Sequence, residues 1–215
     1  MTEPSRTVLI AGASSAAGHA CAAALQATGV RVIAVGSDAG RLADVPADAS
    51  YVCDLSDPAA VLALAETVRT EVGPIDGLVH LVGGWKPGND DATWAWLEER
   101  LITTLRNTTL AFRDDLVASP AGRLAVVSST SVDSPTWSSA NYATAKAAAE
   151  AWVGSVASGW AKAGTAAAVT FVVRALGTGE NDTSVDTLAT RVAGLWDAPV
   201  VELNGARIRL TTRSL

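Results

Sequence analysis

The segment VLIAGASSAAGHA, residues 8–20, runs from an apolar stretch through a glycine–serine loop into small, helix-compatible residues. Gly12 and Gly18 bracket only Ala and Ser. Such a loop lets backbone amides at a helix N-terminus approach a phosphate closely, which bulky side chains would prevent. Ser14 and Ser15 add hydroxyls that can serve as donors or cap the helix. An ordinary strand-to-helix turn favours the same residues, so the fold rests on what surrounds the loop.

Short apolar runs recur at 7–11, 30–35, 51–53, 77–82, 124–127, 167–173 and 206–210. They are rich in Val, Ile and Leu and mostly non-alternating, as expected of strands buried on both faces. Between them lie Ala-rich amphipathic stretches at 58–72, 92–118 and 138–163, long enough for helical crossovers. The pattern predicts a single α/β domain over residues 1–215. Its sheet is doubly wound and largely parallel, with about seven strands and helices on both faces. The polar, Gly-containing segments GGWKPGNDD (83–91) and GTGENDTS (177–184) read as flexible loops.

With 215 residues, 49% hydrophobic and 18% charged, the chain can bury one large core. Its formal charge of −6 is spread along the sequence and no basic run occurs, so neither nucleic acid nor an anionic membrane surface is expected as a partner. The start, MTEPSRTVLIAG, lacks the positive flank and apolar run of a signal peptide, and no apolar stretch is long enough to span a bilayer. Cys21 and Cys53 have no metal-ligand spacing; they read as reduced core residues of a cytoplasmic protein, and no metal is expected.

The segment NYATAKAA, residues 141–148, sets Tyr142 four residues before Lys146 among small neighbours. On a helix the two side chains share a face. A free phenol has a pKa near ~10, too high for efficient proton transfer at neutral pH. An ammonium about 4 Å away could favour the phenolate by roughly 4 kcal/mol, or about three pKa units, before desolvation opposes it. A phenol so tuned can protonate an alkoxide or deprotonate an alcohol. Ser129, directly after the strand LAVVS, is spaced to hydrogen-bond the substrate oxygen, with Ser128 and Ser131 as the nearest rival positions. The competing reading is an amphipathic helix whose Tyr and Lys reach its surface.

Together GASSAAG (12–18) and the pattern SSTSVDSPTWSSANYATAK resemble the short-chain dehydrogenase/reductase family, over nearly the whole chain from the first strand to ELNGARI. Ala16 stands where the family's loop has its middle glycine. The resemblance implies a Rossmann-type fold and a nicotinamide cofactor. Its ligands would be Gly12, Ser14, Ser15, Ala16, Gly18, Ser37, Asp54, Gly83, Tyr142 and Lys146. It makes Tyr142 the general acid/base, Lys146 its electrostatic partner and ribose ligand, and Ser129 the donor to the substrate oxygen. Gly36 falls at the position where an acidic residue binds the ribose 2′-OH, which favours NADP(H) over NAD(H), with Ser37 and Arg41 near the phosphate. Asp38, two residues on, reads as a helix cap. Asp54 reads either as the family's aspartate at the adenine or as a cap for the helix after Asp57-Pro58.

Departures from the family lie around this core. His80-Leu81-Val82-Gly83 replaces Asn-Asn-Ala-Gly, keeping only Gly83. His80 reads as a structural strand histidine rather than an acid/base. The asparagine that supports the catalytic lysine corresponds to Thr104, with Asn107 three residues on. Arg174-Ala175 replaces the Pro-Gly after the sixth strand, a change expected to alter how the nicotinamide carboxamide is held. The substrate lid that follows is short, implying an open pocket or a large substrate. GGWKPG (83–88) resembles the dihydropteridine reductase branch of the family. Trp85, Trp94, Trp96 and Trp137 are candidate aromatic walls or loop anchors. Trp152 and Trp160 suit a core or a subunit interface.

The sequence thus reads as an NADP(H)-preferring oxidoreductase interconverting a small-molecule carbonyl and alcohol, with a homodimer or homotetramer implied by the family. The alternative is a dinucleotide-binding pseudoenzyme or redox sensor with little or no turnover.

Overall fold

Strand β1 (Thr7–Ala11) shows why these apolar runs do not alternate: Val8 and Ile10 enter one core and Leu9 and Ala11 the other, all fully buried. The computed structural model describes residues 6–210. β1 joins β2 (Arg31–Gly36), β3 (Ala49–Val52), β4 (Gly77–His80), β5 (Arg123–Ser129), β6 (Ala167–Val173) and β7 (Arg207–Arg209) in one sheet of order β3-β2-β1-β4-β5-β6-β7. Every pairing is parallel. The edge strands β3 and β7 are short, and Val52 at the end of β3 is largely exposed.

Helices cover both faces. On one lie α1 (Ala16–Ala27), the one-turn α2 (Ala39–Leu42), α7 (Val185–Ala193) and the short α8 (Val200–Leu203), packed over Val8, Val32, Val169 and Phe171. On the other lie α3 (Pro58–Glu71), α5 (Thr104–Ala118) and α6 (Ala140–Trp160), packed over Leu9, Ile33, Leu78 and Leu124. The doubly wound sheet read from the sequence is the one observed.

The stretch 92–118, read as a helical crossover, is interrupted. α4 (Asp91–Glu98) passes into a π-helical turn, Glu99–Thr103, before α5 begins at Thr104. The turn ends on Ile102 and Thr103 and is followed by Thr104, a run of β-branched residues that crowd an α-helix, and Thr104 Oγ1 donates to the Arg100 carbonyl at 2.7 Å. Such turns shift the face a helix presents by inserting one residue into its repeat.

Both loops expected to be flexible are tethered. Asn89 bonds the carbonyl of Trp137, Asn141 Nδ2 donates to Asp90 O at 3.2 Å, and Asp90 caps α4. In 177–184, Gly177 N donates to Thr183 O and Thr183 Oγ1 donates to Leu210 O at 2.8 Å.

Trp160, at the end of α6, is 2% exposed and among the largest side chains sealed in the core. Its replacement by Ala is expected to cost about 3–5 kcal/mol in urea unfolding; a loss well under 1 kcal/mol would remove it from the core.

Candidate active site

β1 leads into α1 on one face of the sheet and its neighbour β4 leads toward α5 on the other, so a crevice opens at their carboxyl ends. The loop 12–15 occupies its floor. Gly12 has φ +80°, and Gly12 N and Ala13 N both donate to Val35 O, at 2.9 and 3.1 Å. A Cβ on Gly12 would lie 2.8 Å from Val82 N, so only glycine passes here. Gly18 is required for a different reason. Its Cβ would sit 2.2 Å from the Ala13 carbonyl oxygen, so it sets the loop down on α1 from beneath and lines neither cavity. Ser15 is the helix cap, accepting from Gly18 N at 3.0 Å. The first-turn amides of Ala16 and Ala17 have no intrahelical acceptor, and both residues line the crevice. These donors at the positive end of α1 fit a pyrophosphate.

One side of the crevice is a cavity of about 600 Å³ lined by Gly12, Ser14, Gly36, Ser37, Arg41 and Asp54, among others. No carboxylate stands at Gly36. Asp38 caps α2 through Arg41 N at 2.9 Å, as its spacing suggested. The Arg41 side chain turns back across the cavity and donates to Ser14 O at 3.3 Å. Asp54 does not cap α3; Asp57 does. Asp54 Oδ1 instead accepts from Ser56 N and Oγ, which lowers its pKa and fixes the carboxylate on the cavity wall.

The other side is a cavity of about 750 Å³ that brings together Ala16, Gly83, Ser129, Tyr142, Lys146 and Trp85. Ser128 and Ser129 alternate along β5. Ser128 Oγ is taken by Glu150 of α6, whereas Ser129 interacts with the Tyr142 phenol and with Ser131 Oγ at 3.0 Å. Both serines and Ser131 border the cavity; Ser128 differs in that its hydroxyl is held by Glu150.

Lys146 is 8% exposed and its Nζ donates to Val127 O at 2.8 Å, 5.9 Å from the centre of the Tyr142 ring. Burial brings its pKa down to about 8, with Glu150 opposing the fall. The expectation that the ammonium depresses the phenol is corrected here. Burial raises Tyr142 above its ordinary value, and the Ser129 hydrogen bond recovers only part of that. The physical reason is that desolvation acts on the phenolate while the ammonium is turned toward a backbone carbonyl.

Thr104 and Asn107, the two candidates on the central helix, face elsewhere. Asn107 Nδ2 donates to Leu55 O and Ser56 O, both at 3.1 Å, holding the turn before α3. Thr104 lines the first cavity, not the one holding Tyr142, and its hydroxyl proton goes to Arg100 O. Thr104 thus stands apart from the Tyr142 phenol and meets that cavity only through His80, 3.2 Å from its hydroxyl. The residue missed by sequence reasoning is the π turn itself, for which the run of β-branched residues was the available signal.

Arg174, standing where the family has Pro-Gly, is engaged within the chain. Its Nη2 pairs with Asp182 at 2.7 Å and its Nε donates to Asn181 O at 3.2 Å, tying the short lid into a closed loop. Trp85 is 63% exposed at the cavity mouth. Trp96 is half-buried beneath Gly84, with Lys86 and Arg100 within 5.8 and 4.7 Å of its ring. Trp152 packs against the core beneath Arg106, and Trp137 is exposed beside a separate shallow groove. Among the described residues no cluster of His, Cys, Asp or Glu is arranged to hold a metal, and no helix is long and apolar enough to cross a membrane.

Known proteins share this architecture. The short chain dehydrogenase family matches residues 6–190. The chain is 27% identical over 156 residues to the 2,3-dihydro-2,3-dihydroxybenzoate dehydrogenase of Bacillus subtilis (strain 168), covering 67% of this chain and 60% of that relative. An NAD+-bound xylitol dehydrogenase has a TM-score of 0.86 at 17% identity, covering 99% of this chain and 100% of that one. A gluconate 5-dehydrogenase from Burkholderia cenocepacia J2315, in complex with NADP and tartrate, has a TM-score of 0.83 at 20% identity, covering 96% and 93%. At these identities the structural likeness is one of fold.

His80, 2% exposed, is pushed down from 6.5 to about 3 by burial and by Lys146. Its ring signals in NMR are expected to stay unmoved between pH 7.5 and about 5. Below 6.5 the unfolded chain takes up a proton that the folded chain refuses, so this group's contribution to stability falls by about 1.4 kcal/mol per pH unit toward its folded pKa. His80→Asn should remove that part of the acid sensitivity in urea unfolding at pH 6.5 and 5. An unchanged slope would mean that His80 is protonated in the fold.

Proposed function

Since the chain belongs to the short chain dehydrogenase family, we propose that it is an NADP(H)-preferring oxidoreductase interconverting a small-molecule carbonyl and its alcohol. The observation that carries this reading is the convergence of Ser129, Tyr142 and Lys146 on one cavity that continues into the Gly12–Ala16 loop. That convergence also argues against a module without turnover. The bound nicotinamide would supply or accept the hydride. Ala16, Ala17 and Ser14 would hold the pyrophosphate, Asp54 would face the adenine, and Lys146 and Tyr142 would meet the nicotinamide ribose.

The Tyr142 phenol is raised, and so it is protonated throughout the neutral range. It therefore suits the role of acid in the reducing direction, giving its proton to the substrate oxygen. Ser129 Oγ donates to the same oxygen as charge develops there. Lys146, near 8, carries its charge at neutral pH and loses it readily above. In the oxidising direction Tyr142 must first lose its proton, so alcohol oxidation should quicken with rising pH.

Relatives of this fold carry NADP in one case and NAD in another, so the preference is argued from this chain's own cavity. Gly36 offers no carboxylate to repel a 2′-phosphate, and Arg41 and Ser37 stand on the wall beside it. Small cyclic carbonyls fit the volume and the Trp85 face, an inference in keeping with the cyclic substrate named for the Bacillus relative. Assembly as a homodimer or homotetramer in the cytoplasm completes the proposal.

Tryptophan-fluorescence titration is expected to show tighter binding of NADPH than of NADH. Arg41→Ala should weaken NADPH about ten-fold or more, the worth of one charge-assisted hydrogen bond, and leave NADH nearly unchanged. Equal loss for both cofactors would place the arginine away from the 2′-phosphate. Tyr142→Phe should retain NADPH binding and abolish NADPH oxidation across a panel of ketones and cyclic carbonyls. Normal turnover by that variant would overturn the mechanism.

A further inference from the structure

His80 closes β4 at the position where the family has asparagine, and both of its ring nitrogens are engaged. Nε2 lies 3.2 Å from Thr104 Oγ1 and Nδ1 lies 3.2 Å from Thr108 Oγ1, and all three side chains are buried. Thr104 Oγ1 donates to Arg100 O at 2.7 Å; Thr108 Oγ1 has Thr104 O at 2.9 Å and Leu105 O at 3.1 Å as alternatives. A neutral imidazole carries one N–H and one bare nitrogen. One threonine must therefore send its proton to the ring and the other to the helix. The short bond to Arg100 O commits the Thr104 proton to the helix. Hence Nε2–H donates to Thr104, and Thr108 donates to Nδ1. The ring and both hydroxyls are then satisfied, as a buried polar group requires.

This network ends on the π turn. Thr104 is the first residue after it and Arg100 lies within it. From the same turn Leu101 and Ile102, with Leu97 of α4, pack in one cluster with Ala145 and Tyr142. His80 also lines the cavity that holds Tyr142 and Lys146. One side chain thus stands behind the lysine and braces the helix segment that supports the tyrosine.

We propose that His80 is the positioning residue of the Tyr142–Lys146 pair: through Thr104 and Thr108 it holds the π turn against β4, and the π turn holds Tyr142 and the burial of Lys146 in place. The proposal rests on reading that pair as the catalytic one. Because the imidazole stays uncharged, it closes the wall behind Lys146 without adding a second cation. The other ionisable groups around Lys146 are distinct. On its own helix are Tyr142 and Glu150, the latter engaged by Ser128 and Arg207. Directly after β6 comes Arg174, paired with Asp182. From the π turn come Glu99 and Arg100, which face the first cavity. Asp133, after β5, is paired with Arg207 and Arg209.

The test is the titration of Lys146 in the cofactor-free protein, read by NMR of ε-13C-labelled lysine. The chain has three lysines, Lys86, Lys146 and Lys162, so Lys→Arg variants assign the signals. The wild-type midpoint is expected near 8. His80→Phe keeps a planar ring and removes both nitrogens; it should raise that midpoint by about one pH unit or more as the turn loosens and water reaches the ammonium. His80→Asn, which retains a donor and an acceptor, should restore most of the wild-type value. If His80→Phe does not fold, Thr108→Val, which removes the Nδ1 partner alone, should raise the midpoint in the same direction by a smaller step. A fall in melting temperature with the Lys146 midpoint unmoved would make His80 a core residue only and overturn the proposal. Because no cofactor or substrate enters the measurement, failure of wild-type protein to bind NADPH would sink the functional reading without deciding this one.

Discussion

Strands β1 and β4 lie side by side, and the chain leaves them toward opposite faces of the sheet. No helix can then cover the carboxyl ends of both, and the gap between them is the one place where a long ligand can lie across the sheet. Every group discussed above takes its position from that gap. The loop after β1 puts amides and small residues at its floor, the end of β2 withholds a carboxylate, and β5 and α6 bring Ser129, Tyr142 and Lys146 to its far side. The two cavities meet over residues 81–83 because β4 ends there.

Within the gap, desolvation outweighs charge attraction. Side by side on one helix, a phenol and an ammonium are expected to stabilise each other's ionised forms. Burial instead pushes Tyr142 up and Lys146 down, so each is driven toward its neutral state. The same burial drives His80 far down and makes it a hydrogen-bonding strut rather than a proton carrier. A proton held on tyrosine at neutral pH is the state that a reductase needs.

The departures from the family pattern are compensated by contacts rather than left open. Loss of the asparagine at the end of β4 is matched by His80 and two threonines that satisfy both ring nitrogens. Loss of Pro-Gly after β6 is matched by Arg174, which ties down the short segment that folds back on itself after the strand. Glu150 links Ser128 on β5 to Arg207 on β7, and through Asp133 to Arg209, so the last strand is wired to the strand that carries Ser129. These pairs are partly exposed and individually modest; their common effect is to fix geometry.

What the sequence determined by itself is whatever rests on local spacing. Apolar runs of strand length separated by helical crossovers dictate a parallel, doubly wound sheet, because only that arrangement buries such strands on both faces. The four-residue interval between Tyr142 and Lys146 dictates a shared helix face, and the small residues at 12–18 dictate a close turn. What tertiary structure decided depends on groups brought together from distant parts of the chain. Which of Ser128 and Ser129 is held by Glu150, that Asp57 rather than Asp54 caps α3, and that Thr104 meets His80 while Asn107 holds the turn before α3 all follow from packing between elements. The sign of the Tyr142 shift belongs there as well. Burial, which no local pattern measures, is a sum over neighbours that only the folded chain assembles.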